Sequence, residues 1–510
     1  MNGAELIVKT LGDLDVDLCV TNPGTTELPL VDALCKTGSI VRVVLVLQEG
    51  VATGAADGYF RVGGRVGCVL LHLGPGLMNG ASFLHDARRA RTPVLVLVGQ
   101  HLLSHLSFDP PLASDIEAVA RSVAVHYKEI KSVDDVVPDI SEALEMAVTR
   151  GGPSILSVPQ DVQLAMVPER LATMQSTEEH RSSVASRDID VKGLASIISV
   201  GGPVTFFVGG RSLDPDVLAA LDVLSRRFSV TVLIETFPSK MRLGRTYPFF
   251  EKLPYFPQAA KKLLPSSGHF VLYGALDPVS FFAYDGTRSR LLDDAVRVHS
   301  AVDPMEDGKG FASQLLSLLG SDGVEQIETV RTEGFSETLG GAIASVVGNG
   351  DVLVDEGRTG VPDLFVELSK AEPHLYLGHN GGAIGEGMPL ALGAALASPD
   401  STVWAIQADG GGMYSPQALW TMARENLPIK VVVISNRSYR ILEIEMRNAK
   451  MEQNDESRRL TSLTDPSIDW RLLARSMGVT AQLCTTTDDL KRALDTARDT
   501  EGPYLVEVTL

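Results

Sequence analysis

Cysteine is scarce in this chain. Four residues, Cys19, Cys35, Cys68 and Cys484, are scattered over 510 positions with no CxxC or CxxxC spacing. That excludes a cysteine-built zinc motif and a dense disulfide framework. It points to reduced thiols and a cytoplasmic protein. Long apolar runs are missing too: no stretch of about 18 uncharged apolar residues occurs, so no membrane span is expected. The opening stretch, Met1 to Val20, carries acids where a secretory signal needs positive charge. Basic residues are outnumbered, 45 Lys and Arg against 64 Asp and Glu, for a net charge of −19. A general nucleic-acid binder would show the opposite balance. A local anion site remains open, because a bound metal ion can supply the positive charge. The GxGxxG fingerprint of nicotinamide and flavin binders is also absent. Gly209-Gly210-Arg211 and Gly74-Pro75-Gly76 do not complete it. No tandem repeat or low-complexity tract appears.

What is present is a strand–helix alternation long enough for about three domains. The runs 41–47, 67–73 and 93–99 are unbroken apolar segments, as expected for parallel strands buried on both faces. Helical stretches at 49–62 and 77–90 lie between them. A polar stretch over 164–190 reads as a linker. A second α/β unit follows, with strands near 203–210, 230–237, 270–275 and 295–302. A weaker break lies near 303–335. The third unit has strands near 351–357, 402–412, 429–438 and 502–510. The expected fold is therefore α/β, three doubly wound domains over 1–165, 190–320 and 335–510. Each would have a mainly parallel sheet flanked by helices.

One segment carries distinctive chemistry. The strand before Ala408 ends on Asp409 and then Gly410, Gly411 and Gly412. Ligands of open parallel sheets bind beyond such strand ends. Glycines let backbone N–H groups approach a phosphate. Ser415 and Pro416 are expected to cap and open the next helix. The following strand ends at Asn436, one strand–helix–strand unit later, so Asp409 and Asn436 should emerge side by side. A carboxylate, an amide oxygen and a loop carbonyl are hard ligands suited to Mg²⁺.

Asp-Gly followed by Asn at this spacing resembles the thiamine-diphosphate motif of the decarboxylase and acetohydroxyacid synthase superfamily, with Ala408 replacing the usual first glycine. The resemblance implies thiamine diphosphate and Mg²⁺ as cofactors, the metal held by Asp409, Asn436 and the Ser438 carbonyl. By the same resemblance Gly382, Ile384, Arg358, Thr359, Gly410, Gly411 and Tyr439 would contact the cofactor. Gly382 would accept from its amino group and Ile384 would bend it. Glu49, after the strand 44–47, stands where the family places the glutamate that hydrogen-bonds the aminopyrimidine. Asn79 and Gly74-Pro75-Gly76 are similar to acetohydroxyacid synthases. Thr25 and His72 match substrate-facing positions of benzoylformate decarboxylases, and His101 is a further proton-transfer candidate. Phe281 and Phe282 stand where those decarboxylases carry a second histidine, which implies an apolar wall.

The function implied is decarboxylation of a 2-oxo acid with carboligation to an aldehyde or second 2-oxo acid. The alternative is release of an aldehyde. An inactive cofactor-binding regulatory homologue is the rival from another class. FAD is not expected. The family's site forms between subunits, so a homodimer or homotetramer is implied, with no nucleic-acid or membrane partner.

Overall fold

The computed structural model describes residues 1–36, 38–172, 187–284, 286–320 and 334–509. Positions 173–186 of the expected linker and 321–333 of the expected second break lie outside the described residues. Three sheets organise the chain. The first contains β1 (Leu18–Thr21), β2 (Arg42–Leu45), β3 (Gly67–His72), β4 (Val94–Gln100), β5 (His126–Glu129) and β6 (Pro153–Pro159), in the order β2-β1-β3-β4-β6-β5. All its pairings are parallel. β4 and β6 are buried at every residue, and in β4 this matches the unbroken apolar run Val94–Val98.

The central segment supplies β7 (Val204–Val208), β8 (Val230–Ile234), β9 (Met241–Leu243), β10 (Glu251–Lys252), β11 (Gly268–Tyr273) and β12 (Val296–Val302). Five of these form a parallel sheet, β10-β8-β7-β11-β12. β9 departs from the expected self-contained middle domain. It joins the third sheet as an antiparallel edge strand, pairing Met241–Leu243 with 374–376. The third sheet also holds β13 (Val352–Glu356), β14 (His374–Gly378), β15 (Val403–Ala408), β16 (Ile429–Ser435), β17 (Thr480–Cys484) and β18 (Tyr504–Thr509), in the order β17-β18-β16-β15-β13-β14-β9.

In the first and third sheets the chain moves one strand outward and then returns to the other side. The reversal falls between β1 and β3, and again between β13 and β15. Such switch points open a crevice past the C-terminal strand ends, because successive crossovers leave in opposite directions. Asn22 follows β1, and His72 ends β3. Arg358 follows β13, and Asp409 follows β15. Topology thus places the sequence-selected His72, Arg358 and Asp409, together with Asn22, at the two reversal points.

Units one and three are fastened together by helices. The Glu49–Gly63 helix packs along the Gly387–Ala397 helix with backbones in contact. A Cβ on Gly58 would stand 2.0 Å from the Leu390 carbonyl oxygen, and one on Gly393 1.8 Å from that of Ala55. Near the end of the first unit, 165–167 is tied to the N-terminus. Gly3 donates to the Ala165 carbonyl and Val167 to that of Met1. No helix among the described residues is long and apolar enough to cross a membrane.

Candidate active site

At the first crevice, β2 runs into Gln48, whose side chain accepts from the Val51 N–H at 3.0 Å and caps the Glu49–Gly63 helix. Glu49 opens that helix and points its carboxylate at two amides. Asn79 donates to one oxygen at 3.1 Å and Asn22 to the other at 3.4 Å. Glu49 is half-buried rather than enclosed in a dry pocket within this single chain.

His72 ends β3, and the helix Leu73–Ala90 starts at once, four residues earlier than the periodicity at 77–90 predicts. The abrupt turn holds Leu73 in the left-handed region at φ 52°. Arg358 (φ 51°) and Arg437 (φ 56°) share that conformation. Bulky residues there are strained, and strain of this kind collects at functional sites. All three adjoin or belong to the predicted site.

Sequence reasoning missed Glu27. It is fully buried and lies 2.9 Å from His72 Nδ1. Its carboxylate also accepts from the Gly24 N–H at 3.0 Å and from the Thr26 hydroxyl. Burial pushes the Glu27 carboxyl up, while Thr26, His72 and Gly24 pull it back. Gly99 on β4 makes room for it, since a Cβ there would stand 1.8 Å from Glu27 Oε1. Thr26, rather than Thr25, touches His72, at 3.1 Å; Thr25 is exposed on the rim. His101 follows β4, its ring edge-on to His105 at 5.5 Å. Its Nε2 is buried and unpartnered among the described residues. Burial, then His105 and His72, lower its pKa. His72, His101 and His105 therefore share one rim.

At the second crevice, Ala408 of β15 pairs with Ile434 of β16, so Asp409 and Asn436 emerge together. Asp409 accepts from the Arg437 N–H at 2.6 Å and from Gly410 at 2.8 Å. Burial raises its pKa and these N–H groups oppose the rise. Asn436 Oδ1 accepts from the Ser438 N–H at 3.0 Å, and Ser438 Oγ donates to Glu443 at 2.5 Å. The helix expected to open at Pro416, capped by Ser415, opens at Ala418 instead. A separate helical turn, Asp409–Gly412, intervenes, and the buried Ser415 hydroxyl is committed to the Gly385 carbonyl rather than to a cap.

Gly382 and Ile384 lie on the turn before the Gly387–Ala397 helix, and Ile384 is half-buried. Arg358 and Thr359 form a short 3₁₀ turn after β13. Arg358 sits 4.7 Å over the Phe237 ring and donates to His379 Nδ1. Phe281 packs on Phe237 and Tyr255 at 5.1 and 4.9 Å, yet Phe281 and Phe282 remain 51% and 61% exposed. Phe237, Tyr255 and Phe281 thus form an aromatic cluster beside Arg358.

A Mg²⁺–diphosphate group fits this donor set. Asp409 and Asn436 offer hard oxygen ligands. Gly382, at φ 93°, has nothing within 4 Å of a would-be Cβ, which leaves a flat ring room on that side. Gly410 is the reverse: a Cβ would meet the Tyr439 ring at 2.7 Å.

Residues 1–119 match "Thiamine pyrophosphate enzyme, N-terminal TPP binding domain", and 364–508 match the corresponding C-terminal TPP binding domain. A Mycobacterium tuberculosis protein, named provisionally as the acetolactate synthase large subunit IlvX, is 36% identical over 524 residues. The alignment covers 100% of this chain and 99% of that one. The chain belongs to the thiamine pyrophosphate enzymes. The Escherichia coli acetolactate synthase isozyme 2 large subunit is 26% identical to this thiamine pyrophosphate enzyme, covering 100% of the chain and 96% of the relative. Two solved structures share its fold over 100% of the chain and 99% of theirs, each at 22% identity. They are the Rhodococcus jostii thiamine diphosphate-dependent 4-hydroxybenzoylformate decarboxylase (TM-score 0.82) and the benzoylformate decarboxylase from Polynucleobacter necessarius (TM-score 0.83).

Proposed function

We propose that this enzyme binds thiamine diphosphate with Mg²⁺, decarboxylates a 2-oxo acid and joins the remaining fragment to a second carbonyl, as its acetolactate synthase relatives are named for doing. The observation that carries this is the Glu49 carboxylate, held by Asn22 and Asn79 at one switch point of a chain whose other switch point presents Asp409 beside Asn436. When bound, the cofactor supplies a carbanion nucleophile and an electron sink. Glu49 holds a proton at the aminopyrimidine N1′. The Gly382 carbonyl would accept from its exocyclic amine, and Ile384 would pack against the cofactor. Asp409, Asn436 and the Ser438 carbonyl hold the metal. Gly410, Gly411, Arg358, Thr359 and Tyr439 surround the diphosphate. Thr25 donates to the substrate carboxylate.

The units 1–165, 190–320 and 335–510 serve as pyrimidine-binding, central and diphosphate-binding domains. Glu49 is half-exposed, and Leu28, Leu47 and Met78, from the segments around it, are 58%, 46% and 48% exposed. A second copy of the chain would cover them, giving a homodimer or a homotetramer with sites between chains. The four thiols are free, which supports a reducing, cytoplasmic setting.

One observation favours a second outcome, aldehyde release. The Glu27–His72 pair holds the imidazole so that Nε2 can deliver a proton to the substrate-derived carbon. Product analysis from a panel of 2-oxo acids, with and without an added acceptor, separates the two. Acyloin or acetohydroxy-acid product supports ligation; aldehyde alone supports protonation. Glu49→Gln should bind cofactor and lose most turnover. Unchanged turnover would refute the assignment of Glu49.

A further inference from the structure

The turn between β14 and the Gly387–Ala397 helix carries Gly382 and Ile384, yet it is held from a distant part of the chain. Asp86, fully buried on the Leu73–Ala90 helix of the first unit, accepts from the Ala383 N–H at 3.1 Å through Oδ1. Its Oδ2 lies 3.0 Å from His379 Nε2. Gly381 (φ 76°) gives way to this carboxylate, since a Cβ would stand 2.1 Å from Asp86 Oδ1. Arg61, paired with Asp57 at 2.6 Å, donates to the Gly378 carbonyl at 2.7 Å and to Asn380 Oδ1 at 3.2 Å.

Asp86, His379 and Glu386 bring ligand atoms within 4.8 Å of one another, which is also the spacing of a metal site. Hydrogen-bond inventory decides between the two readings. A backbone carbonyl only accepts, so the Ala383 oxygen beside His379 Nε2 places the hydrogen on Nε2 and leaves Nδ1 to accept from Arg358. Nε2–H then donates to Asp86 and to the Ala383 carbonyl, 3.0 Å away. No imidazole lone pair faces the acids. No N–H donor reaches Glu386 among the described residues, and burial, then Asp86 and Asp57, push its carboxyl well up.

The geometry points to Asp86 and His379 as positioning residues: they form a strap by which the first unit sets the 379–385 turn, and so the affinity for thiamine diphosphate, while steering Arg358. The strap rests on the proposed cofactor reading. It couples the packing of two units within one chain to the readiness of the diphosphate-side site.

The test is calorimetric titration of the full-length chain with thiamine diphosphate and Mg²⁺, alongside melting of the cofactor-free protein. Asp86→Asn places an amide N–H against Nε2–H and should weaken binding at least tenfold. His379→Leu should do the same. His379→Gln can still donate to Asp86 and should stay within about threefold of wild type. Should Asp86→Asn not fold, the Leu and Gln variants decide. A lower melting temperature with unchanged cofactor affinity overturns the strap, as does equal affinity of the Leu and Gln variants. A transition metal present in wild type and lost in Asp86→Asn overturns the tautomer. Wild type that binds no cofactor removes the cofactor reading itself, an outcome distinct from variants that match a tight-binding wild type.

Discussion

Replacing Glu27 by Gln separates charge from shape at the His72 pair. Glu27 Oε2 accepts from Gly24 N–H and His72 Nδ1–H, and Oε1 accepts from the Thr26 hydroxyl. A glutamine with its oxygen in the Oε2 position keeps the first two bonds. Its N–H₂ then faces Thr26, whose hydroxyl can rotate to accept. The tautomer of His72 survives, and only the anion disappears. A hydrogen bond to a charged partner exceeds a neutral one by roughly 1 kcal/mol net. The imidazolium should lose about that much support, close to the ~1.4 kcal/mol that makes a factor of ten. Proton delivery by His72 should therefore fall about five- to tenfold. Stability should move the other way. Burial raises the folded pKa of Glu27, so its contribution is full below the unfolded value and is lost as pH rises through the folded one. The Gln variant lacks that loss and should be at least as stable as wild type at pH 8. The assay is the pH profile of product formation from a 2-oxo acid, paired with melting curves from pH 5 to 9. Activity and stability falling together, or a profile superimposable on wild type, would refute the reasoning.

Asp409→Ala should abolish Mg²⁺-dependent cofactor binding in calorimetry, and retained tight binding would contradict the metal assignment. His72→Ala should slow turnover or change the aldehyde-to-acyloin ratio; an unaltered product profile would return His72 to a structural role. Gly393→Ala drives a Cβ to 1.8 Å from the Ala55 carbonyl, so the two helices must separate by more than an ångström. Overpacking of this kind costs roughly 1–3 kcal/mol or more. A melting temperature within a degree of wild type would mean the helices are not in backbone contact.

Much of the site was legible because its signals are local. Asp409 and Asn436 each end an apolar strand, and the glycines after Asp409 mark a place where side chains are unwelcome. Glu49 follows a buried strand and opens a glycine-rich helix. Glu27 was not selected, because its meaning depends on Gly99 in one strand and His72 at the end of another. Asp86 and His379 lie 293 positions apart, and no periodicity links residues at that distance. The β9 exchange into the third sheet was hidden for a similar reason: a three-residue strand is too short to announce its partner. Ser415 misled because a cap and a buried hydroxyl bond to a distant carbonyl need the same residue type.

The contrast between local and distant signals has one physical origin. A parallel sheet sends its chemistry to strand ends, and strand ends are written in consecutive residues. The orientation of that chemistry is set by contacts between units, and those are written in pairs far apart. The two sheets with sequence-selected residues have the same reversal, yet only inter-unit bonds distinguish a loop that is merely near a crevice from one that is held in it. The Glu49 clamp is intra-unit and readable from its neighbourhood; the Asp86 strap is inter-unit and visible only once the chain is folded. The residues proposed to carry the reaction were therefore selected from the sequence, whereas those proposed to aim them required the structure.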